Sequence, residues 1–210
     1  MITVRNMHSS HTLHRFICEH LRLFCCTLII LAAYVSSLDI STVPDEIVLV
    51  EDSLFFEILW PESLMYTYQI RQAKDFGTNF DRVYNKIDMV IADPVEGCQA
   101  LNNDVKDVVV FILRGECSFL TKTKVAERAG AIAVIIADND ETNDGNMIDM
   151  IDDSTERSTS IPSSFLMGKD GLMIRQRLSY MGTDRAIITI PLNLTGKPFH
   201  ENKRPPWTLW

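Results

Sequence analysis

The chain has 210 residues, 46% of them hydrophobic, and a formal net charge of −8 at pH 7. That length corresponds to one domain or at most two. The acidic balance, without a cluster of basic residues, argues against nucleic acid as a partner and against attraction to an anionic membrane surface.

The N-terminal segment predicts a secretory signal peptide over residues 1–37. An apolar run at 23–35 follows three arginines and precedes the small residues Ser36 and Ser37. This order of basic, apolar and small residues is typical of a leader. Because the run falls short of the ~20 residues that span a bilayer, we favour cleavage over an uncleaved signal anchor. We therefore expect a secreted chain, 38–210, with no membrane segment and a net charge of −10.

Short strands are predicted through the first half of the mature chain. After a polar linker, segments rich in β-branched and aromatic residues are bounded by prolines and turn residues, which is typical of strands. These segments lie at 47–50, 54–60, 64–70 and 87–92.

The stretch from Val108 to Asn139 has the pattern of a strand, a helix and a second strand. Residues 108–113 and 131–137 are continuous apolar runs, which predict strands buried on both faces. Between them, Ser118 is a candidate N-cap for a helix at 119–129, which would end before a glycine. A unit this short predicts two parallel strands joined by a right-handed crossover.

The C-terminal part predicts a strand at 164–167, a second helix capped by Asp170, and a closing strand at 186–192. The second helix would run to Met181 and bury an apolar stripe of residues three to four apart, namely Ile174, Leu178 and Met181. The tail, 197–210, is polar and then rich in proline and tryptophan. Its alternatives are a short recognition element and a segment that folds back and buries its tryptophans.

These elements predict an α+β domain in which a curved sheet or open barrel is flanked by two helices. The residues of the central unit resemble the protease-associated domain family. The resemblance is carried by Arg114, Gly115, Cys117, Phe119, Lys122, Ala126, Gly130, Ala131, Ala133 to Ile136, Asp138 and Asn139, and later by Ile161, Pro162, Phe165, Leu166, Asp170 and Gly171. The segments at 73–77 and 205–210 resemble those of a small secreted member. The resemblance implies a domain at 38–196 with its core at about 86–192.

Cys98 and Cys117 are the two cysteines that remain after the leader. An even pair in a secreted domain favours a disulfide, which would close a 20-residue loop. The alternatives are a reactive thiol and half of a metal site. With no histidine beside them, the pair would make a poor zinc site.

The mature chain offers little catalytic chemistry, and we expect it not to be an enzyme. Its one histidine is His200, in the tail, and motifs for a serine or metal hydrolase are absent from the sequence. In the family that the chain resembles, peptidases keep their catalytic residues in a separate domain. The acidic loop at 138–153 fails as a calcium-binding EF-hand, because Ile151 stands where a glutamate is required. We expect no metal and no cofactor.

Two surface features indicate the remaining functional residues. Asn193 begins the one N-glycosylation sequon after the leader. We expect it to carry a glycan, and the alternative is that the sequon is unused. Arg114, Gly115 and Glu116 form a loop at the end of a strand. In plant sorting receptors of the family, the corresponding loop contacts the cargo peptide. The alternative is that these residues only fix the turn. We expect a secreted, non-catalytic glycoprotein that binds an unknown protein or peptide. The rival functions are a hydrolase that uses carboxylates only and a structural or chaperone-like role in the secretory pathway.

Overall fold

The computed structural model describes residues 53–194 and 202–208. The predicted signal peptide, the predicted strand at 47–50 and His200 lie outside these ranges. Seven strands occur in the described part, β1 (Ser53–Trp60), β2 (Thr67–Gln72), β3 (Tyr84–Ile91), β4 (Val109–Leu113), β5 (Ala133–Ala137), β6 (Ser163–Leu166) and β7 (Arg185–Leu192). The helices there are α1 (Phe119–Arg128) and α2 (Gly168–Tyr180), with a 3-10 turn at Glu62–Leu64. None of the described helices has the length and apolar character to cross a membrane.

The strands form one closed barrel in the order β1-β2-β6-β5-β4-β3-β7. Strands β3, β4, β5 and β6 run parallel to their neighbours in this series, and the other pairings are antiparallel. The parallel pairing of β4 with β5 is as predicted, and it runs from Val109 opposite Ala133 to Leu113 opposite Ala137. The predicted α+β class is confirmed. The curved sheet closes completely because β1 pairs with both β2 and β7.

The two faces of β4 belong to two different apolar clusters. Val109 and Phe111 join a cluster that includes Ile174 and Leu178 of α2. Val110 and Ile112 join the other, which includes residues from α1. The continuous apolar sequence of β4 therefore reflects burial on both faces, and each fully buried aliphatic or aromatic side chain contributes roughly 1.5–3 kcal/mol.

The first helix begins and ends as its sequence predicts. The hydroxyl oxygen of Ser118 accepts a hydrogen bond from the backbone N–H of Thr121, which is the contact expected of an N-cap. Gly130 follows with φ +91°, in the left-handed region that glycine adopts without strain. The strand predicted at 64–70 is shorter at its start, because Leu64 lies in the 3-10 turn and its N–H donates to the Pro61 carbonyl.

The sequence predicts Asp170 as the cap of the second helix, but Asp170 lies within the first turn of that helix. Helix α2 begins two residues earlier, at Gly168, where a Cβ atom would stand only 1.8 Å from the carbonyl oxygen of Asp140. The helix can approach the preceding loop this closely only because a glycine is there. At the other end, Met181 is 41% exposed and is not part of the predicted buried stripe, whereas Ile174 and Leu178 are fully buried.

The described part of the tail folds back onto the barrel. The carbonyl oxygen of Lys203 accepts a hydrogen bond from the N–H of Thr67 at 2.7 Å, and Pro205 is buried. The indole of Trp207 packs edge-on against the ring of Tyr66, with the ring centroids 5.4 Å apart. Of the two tail alternatives, folding back holds for Trp207, while Trp210 lies beyond the described residues.

The indole N–H of Trp207 donates to Oδ1 of Asp170 at 2.8 Å. Asp170 is fully buried, and its Oδ2 has no hydrogen-bond partner. Burial raises the pKa of this carboxyl group to about 7, although the Trp207 hydrogen bond and the charge of Lys169 both act to lower it. The same burial raises the pKa of the neighbouring Tyr68 phenol above its ordinary value.

The raised pKa of Asp170 makes stability depend on pH. The folded-state pKa exceeds the unfolded value of about 3.9. The stability that the protonated Asp170 carboxyl contributes is therefore complete below about pH 4 and is lost as the pH rises through 7. We expect Asp170→Asn, which keeps an oxygen acceptor for Trp207, to raise the free energy of unfolding at pH 8 by about 1–4 kcal/mol and to raise it by much less at pH 4.5.

Urea unfolding at both pH values measures this difference. Asp184→Asn, at an exposed aspartate paired with Arg185, is the matched control and should change the free energy by less than about 0.5 kcal/mol. If Asp170→Asn leaves the pH dependence of wild type unchanged, the carboxyl does not titrate as described.

Candidate functional site

The loop predicted to bind a partner lies where three neighbouring parallel strands end. Arg114 follows β4, Asp138 follows β5 and Met167 follows β6, and these strands are adjacent in the barrel. Because parallel strands end at the same edge of a sheet, the loops after them converge. In open parallel sheets, ligand sites form at the carboxyl edge, and the predicted loop lies at the corresponding edge of these strands.

Arg114 is held by an ion pair with the first residue after β5. Its Nη1 donates to Oδ1 of Asp138 at 2.8 Å, and its backbone N–H donates to the Ala137 carbonyl. The Asp138 side chain is only 3% exposed, and its Oδ2 accepts from the amide of Asn143. The Arg114 side chain remains 38% exposed and lies 6.0 Å from the centre of the Phe119 ring. One carboxylate therefore fixes the guanidinium while part of it stays open to solvent.

The next two residues take unusual backbone conformations. Gly115 has φ +115° and Glu116 has φ +67°, and a residue with a side chain adopts the latter at a cost of about 1–2 kcal/mol. The turn closes with the N–H of Cys117 donating to the Gly115 carbonyl at 2.8 Å. Glu116 is exposed. Strain of this kind is found often at binding sites, where the surrounding structure holds it in place.

The predicted disulfide joins this turn to the segment that follows β3. The Sγ atoms of Cys98 and Cys117 are bonded at 2.02 Å. Below the bond lies Lys122 of α1, whose side chain is fully buried. Its Nζ donates to the Glu96 carbonyl at 2.5 Å and lies 3.5 Å from Sγ of Cys98. Burial lowers the pKa of Lys122, and the nearby carboxylates of Glu96 and Glu116 oppose that shift.

A carboxylate of the acidic loop contacts the residue that caps the start of α1. The hydroxyl of Ser118 donates to Asp153, which also pairs with Arg157. The hydrogen bonds from Ser118 and Thr155 are the main causes that lower the pKa of Asp153 to about 2. Because Asp153 belongs to the loop after β5, this contact fastens the end of the acidic loop to the helix.

Most carboxylates of the acidic loop pair with cations outside it. Four further carboxylates in the loop pair with arginine or lysine side chains outside it, as Asp138 with Arg114, Asp144 with Lys169, Glu141 with Arg175, and Asp149 with Arg71. Met150 of the same loop is completely buried. Within 53–194 and 202–208, no group of three or more acidic, histidine or cysteine side chains is placed to hold a metal ion. The loop is thus anchored to the domain through Met150 and these ion pairs.

The sequence predicts Arg114, Gly115, Glu116 and both cysteines as site residues, but not the two groups that hold them in the structure. Lys122 was predicted only as part of a family pattern, because a lysine on an amphipathic helix usually faces solvent. Asp138 was likewise predicted only as part of that pattern, although a carboxylate directly after a buried strand is itself a signal for a charge at the sheet edge. All five histidines of the sequence lie outside the described residues.

Comparison with known proteins supports the predicted resemblance. Residues 83–174 match the PA domain family. The PRADC1-like protein of Drosophila melanogaster is 43% identical over 166 residues, which are 77% of this chain and 85% of the fly protein. The signal peptide peptidase-like 2 of Arabidopsis thaliana is 31% identical over 97 residues, 45% of this chain but only 17% of that protein.

Two solved structures of aminopeptidases align with part of this chain. The zinc aminopeptidase BSAP of Bacillus subtilis aligns with a TM-score of 0.45 and 18% identity, over 65% of this chain and 29% of that chain. The aminopeptidase of Aneurinibacillus sp. strain AM-1 aligns with a TM-score of 0.46 and 17% identity, over 66% and 30%. This chain spans less than a third of either aminopeptidase. On its identity with the PRADC1-like protein over most of both chains, this chain belongs to the PA domain proteins.

Proposed function

We propose that this chain is a secreted, glycosylated and non-catalytic PA domain protein that binds a protein or peptide at the loop of Arg114, Gly115 and Glu116. The observation that carries the proposal is the Arg114 guanidinium, which is fixed by a buried carboxylate and still 38% exposed. A cation in one fixed orientation loses little conformational entropy when a ligand binds.

The chemistry of the loop favours a peptide ligand. A guanidinium donates two parallel hydrogen bonds to a carboxylate, or single ones to backbone carbonyls. Gly115 has no side chain, so a second backbone can come close to it. The disulfide and the N-cap of α1 hold the C-terminal end of the turn, and the ion pair of Arg114 with Asp138 holds its start. These features together suit recognition of an extended segment with a carboxylate or free carbonyl groups.

The rival function, a hydrolase that uses carboxylates only, finds little support among the described residues. Such an enzyme needs a carboxylic acid whose pKa is raised and which reaches the substrate together with a second carboxylate. Asp170 has the raised pKa, but it is fully buried and lies under the indole of Trp207. A structural or chaperone-like role remains the outcome if no ligand is found for the loop.

Binding at Arg114 is tested in a protein that already carries Asp138→Asn, so that removing Arg114 leaves no buried carboxylate without its cation. Removing Arg114 alone would strip Asp138 of its cation and destabilise the fold, so we use Asp138→Asn as the parent. A random peptide library displayed on phage is selected on the wild-type secreted protein, and the selected peptides are titrated on each variant. We expect Arg114→Ala in the Asp138→Asn background to weaken binding by about 1–3 kcal/mol, with no further fall in melting temperature.

Arg82→Ala is the matched control for this titration, because Arg82 is an exposed arginine that also lies over an aromatic ring, that of Tyr84. It should leave peptide affinity unchanged. Equal affinities of the Asp138→Asn protein with and without Arg114 would show that Arg114 fixes only the turn and would overturn the proposal for this loop.

Glycosylation is tested at Asn193, which is exposed just after β7. We expect Asn193→Gln to remove a single N-linked glycan from the secreted protein and to increase its mobility on a denaturing gel. Treatment of wild type with an N-glycosidase should produce the same increase. Identical mobility of wild type and variant, before and after the enzyme, would show that the sequon is unused.

Export is tested by sequencing the N-terminus of material collected from the medium of expressing cells. Because a basic, apolar and small leader predicts cleavage after Ser37, the first residue should be Leu38 or one close to it. Recovery of the protein only in the membrane fraction, with Met1 retained, would instead identify an uncleaved signal anchor.

A further inference from the structure

The buried cation at Lys122 lacks a counter-ion in the described structure. Its Nζ contacts the Glu96 carbonyl and Sγ of Cys98, and no described carboxylate forms an ion pair with it. A charge held out of water in this way is costly unless an opposite charge pairs with it. The disulfide beside it is neutral, so in the oxidised protein the ammonium directly contacts, among the described residues, only a carbonyl oxygen and a neutral sulfur, and the carboxylates of Glu96 and Glu116 act on it without forming an ion pair.

Reduction of the disulfide would generate the missing anion. The thiolate of Cys98 would form on the atom that already lies 3.5 Å from Nζ of Lys122. A neighbouring lysine stabilises a thiolate and lowers the pKa of the thiol. The other charged groups that face this position are the carboxylates of Glu96 and Glu116. They oppose the thiolate, but neither pairs with the lysine that contacts the sulfur.

We propose that the Cys98–Cys117 bond is a thiol–disulfide exchange site for a dithiol, in which Cys98 is the leaving thiolate and Lys122 is its counter-ion. A thiolate of the dithiol attacks Sγ of Cys117, the bond between the two protein sulfurs breaks, and its electron pair leaves on Cys98. The second thiolate of the dithiol then attacks the mixed disulfide and releases Cys117. The dithiol is oxidised to a disulfide, and the two protein sulfurs are reduced.

The position of Cys117 supports the same direction of exchange. Cys117 directly precedes Ser118, the N-cap of the ten-residue helix α1. The N-terminus of a helix favours negative charge, so the thiolate of Cys117 is also stabilised. A disulfide whose reduced form is stabilised is a stronger oxidant than an ordinary structural one. Exchange would release the covalent anchor of the Arg114–Glu116 turn.

The test measures the redox equilibrium of the secreted protein in buffers of reduced and oxidised dithiothreitol, with thiol alkylation and mass spectrometry as the readout. Lys122→Met removes the cation and keeps an apolar side chain of similar length. We expect this variant to shift the equilibrium at least tenfold toward the disulfide, which is about 30 mV for a two-electron couple.

Lys124→Met is the matched control. Lys124 lies on the same helix and also donates to a backbone carbonyl, that of Ser158, but it is not among the contacts of either cysteine. Its equilibrium should stay within twofold of wild type. A shift of less than twofold for Lys122→Met, or a shift equal to that of the control, would overturn the proposal.

A second measurement uses wild type only, for the case in which Lys122→Met does not fold. The rate of alkylation of Cys98 by iodoacetamide is followed against pH in the reduced protein, with near-ultraviolet circular dichroism to verify its fold. A thiol pKa at least one unit below the ordinary 8.5 supports the proposal. An ordinary or higher pKa, or a reduced protein that is unfolded, overturns it, because Lys122 would then not be held beside the sulfur.

Discussion

The fold depends on the parallel pairing of β4 with β5, the two strands that α1 connects. Both strands are apolar on each face, so each must be covered twice, once by the interior of the barrel and once by a helix or loop. The connection between them places α1 over one face, where it packs in the second apolar cluster. It also brings the residues after β4 and β5 to a common edge, where Arg114 meets Asp138. The packing requirement and the candidate site are thus consequences of one local unit.

The sequence predicts this unit well because its signals are local. Apolar runs, a serine N-cap and a glycine stop lie within about thirty residues of one another, and the structure confirms each of them. The helix α2 was less well predicted. Its start depends on the contact between Gly168 and the carbonyl of Asp140, and its buried aspartate depends on Trp207, which comes 37 residues later in the chain. Contacts over such distances leave no periodic pattern in the sequence.

The candidate site was predicted in the same uneven way. The residues of the turn follow from a strand end, a glycine and a cysteine, all close together in the sequence. The charges that hold the turn do not. Lys122 is buried although its residue type indicates solvent. Five carboxylates of an apparently open acidic loop pair with cations outside the loop. Only the folded arrangement shows which of these charges form ion pairs and that Lys122 does not, within the part of the chain that the structure describes.

The closed order of the barrel has a consequence for the choice of fragments. The match to the PA domain family covers 83–174, whereas β6 also pairs with β2 and β3 also pairs with β7. A fragment limited to the matched region would lack β1, β2 and β7, and its sheet would end in two open edges. Unpaired edge strands present free backbone donors and acceptors to other chains. Such a piece would self-associate through those edges, so the smallest autonomous unit of this protein extends well beyond the segment by which its family is recognised.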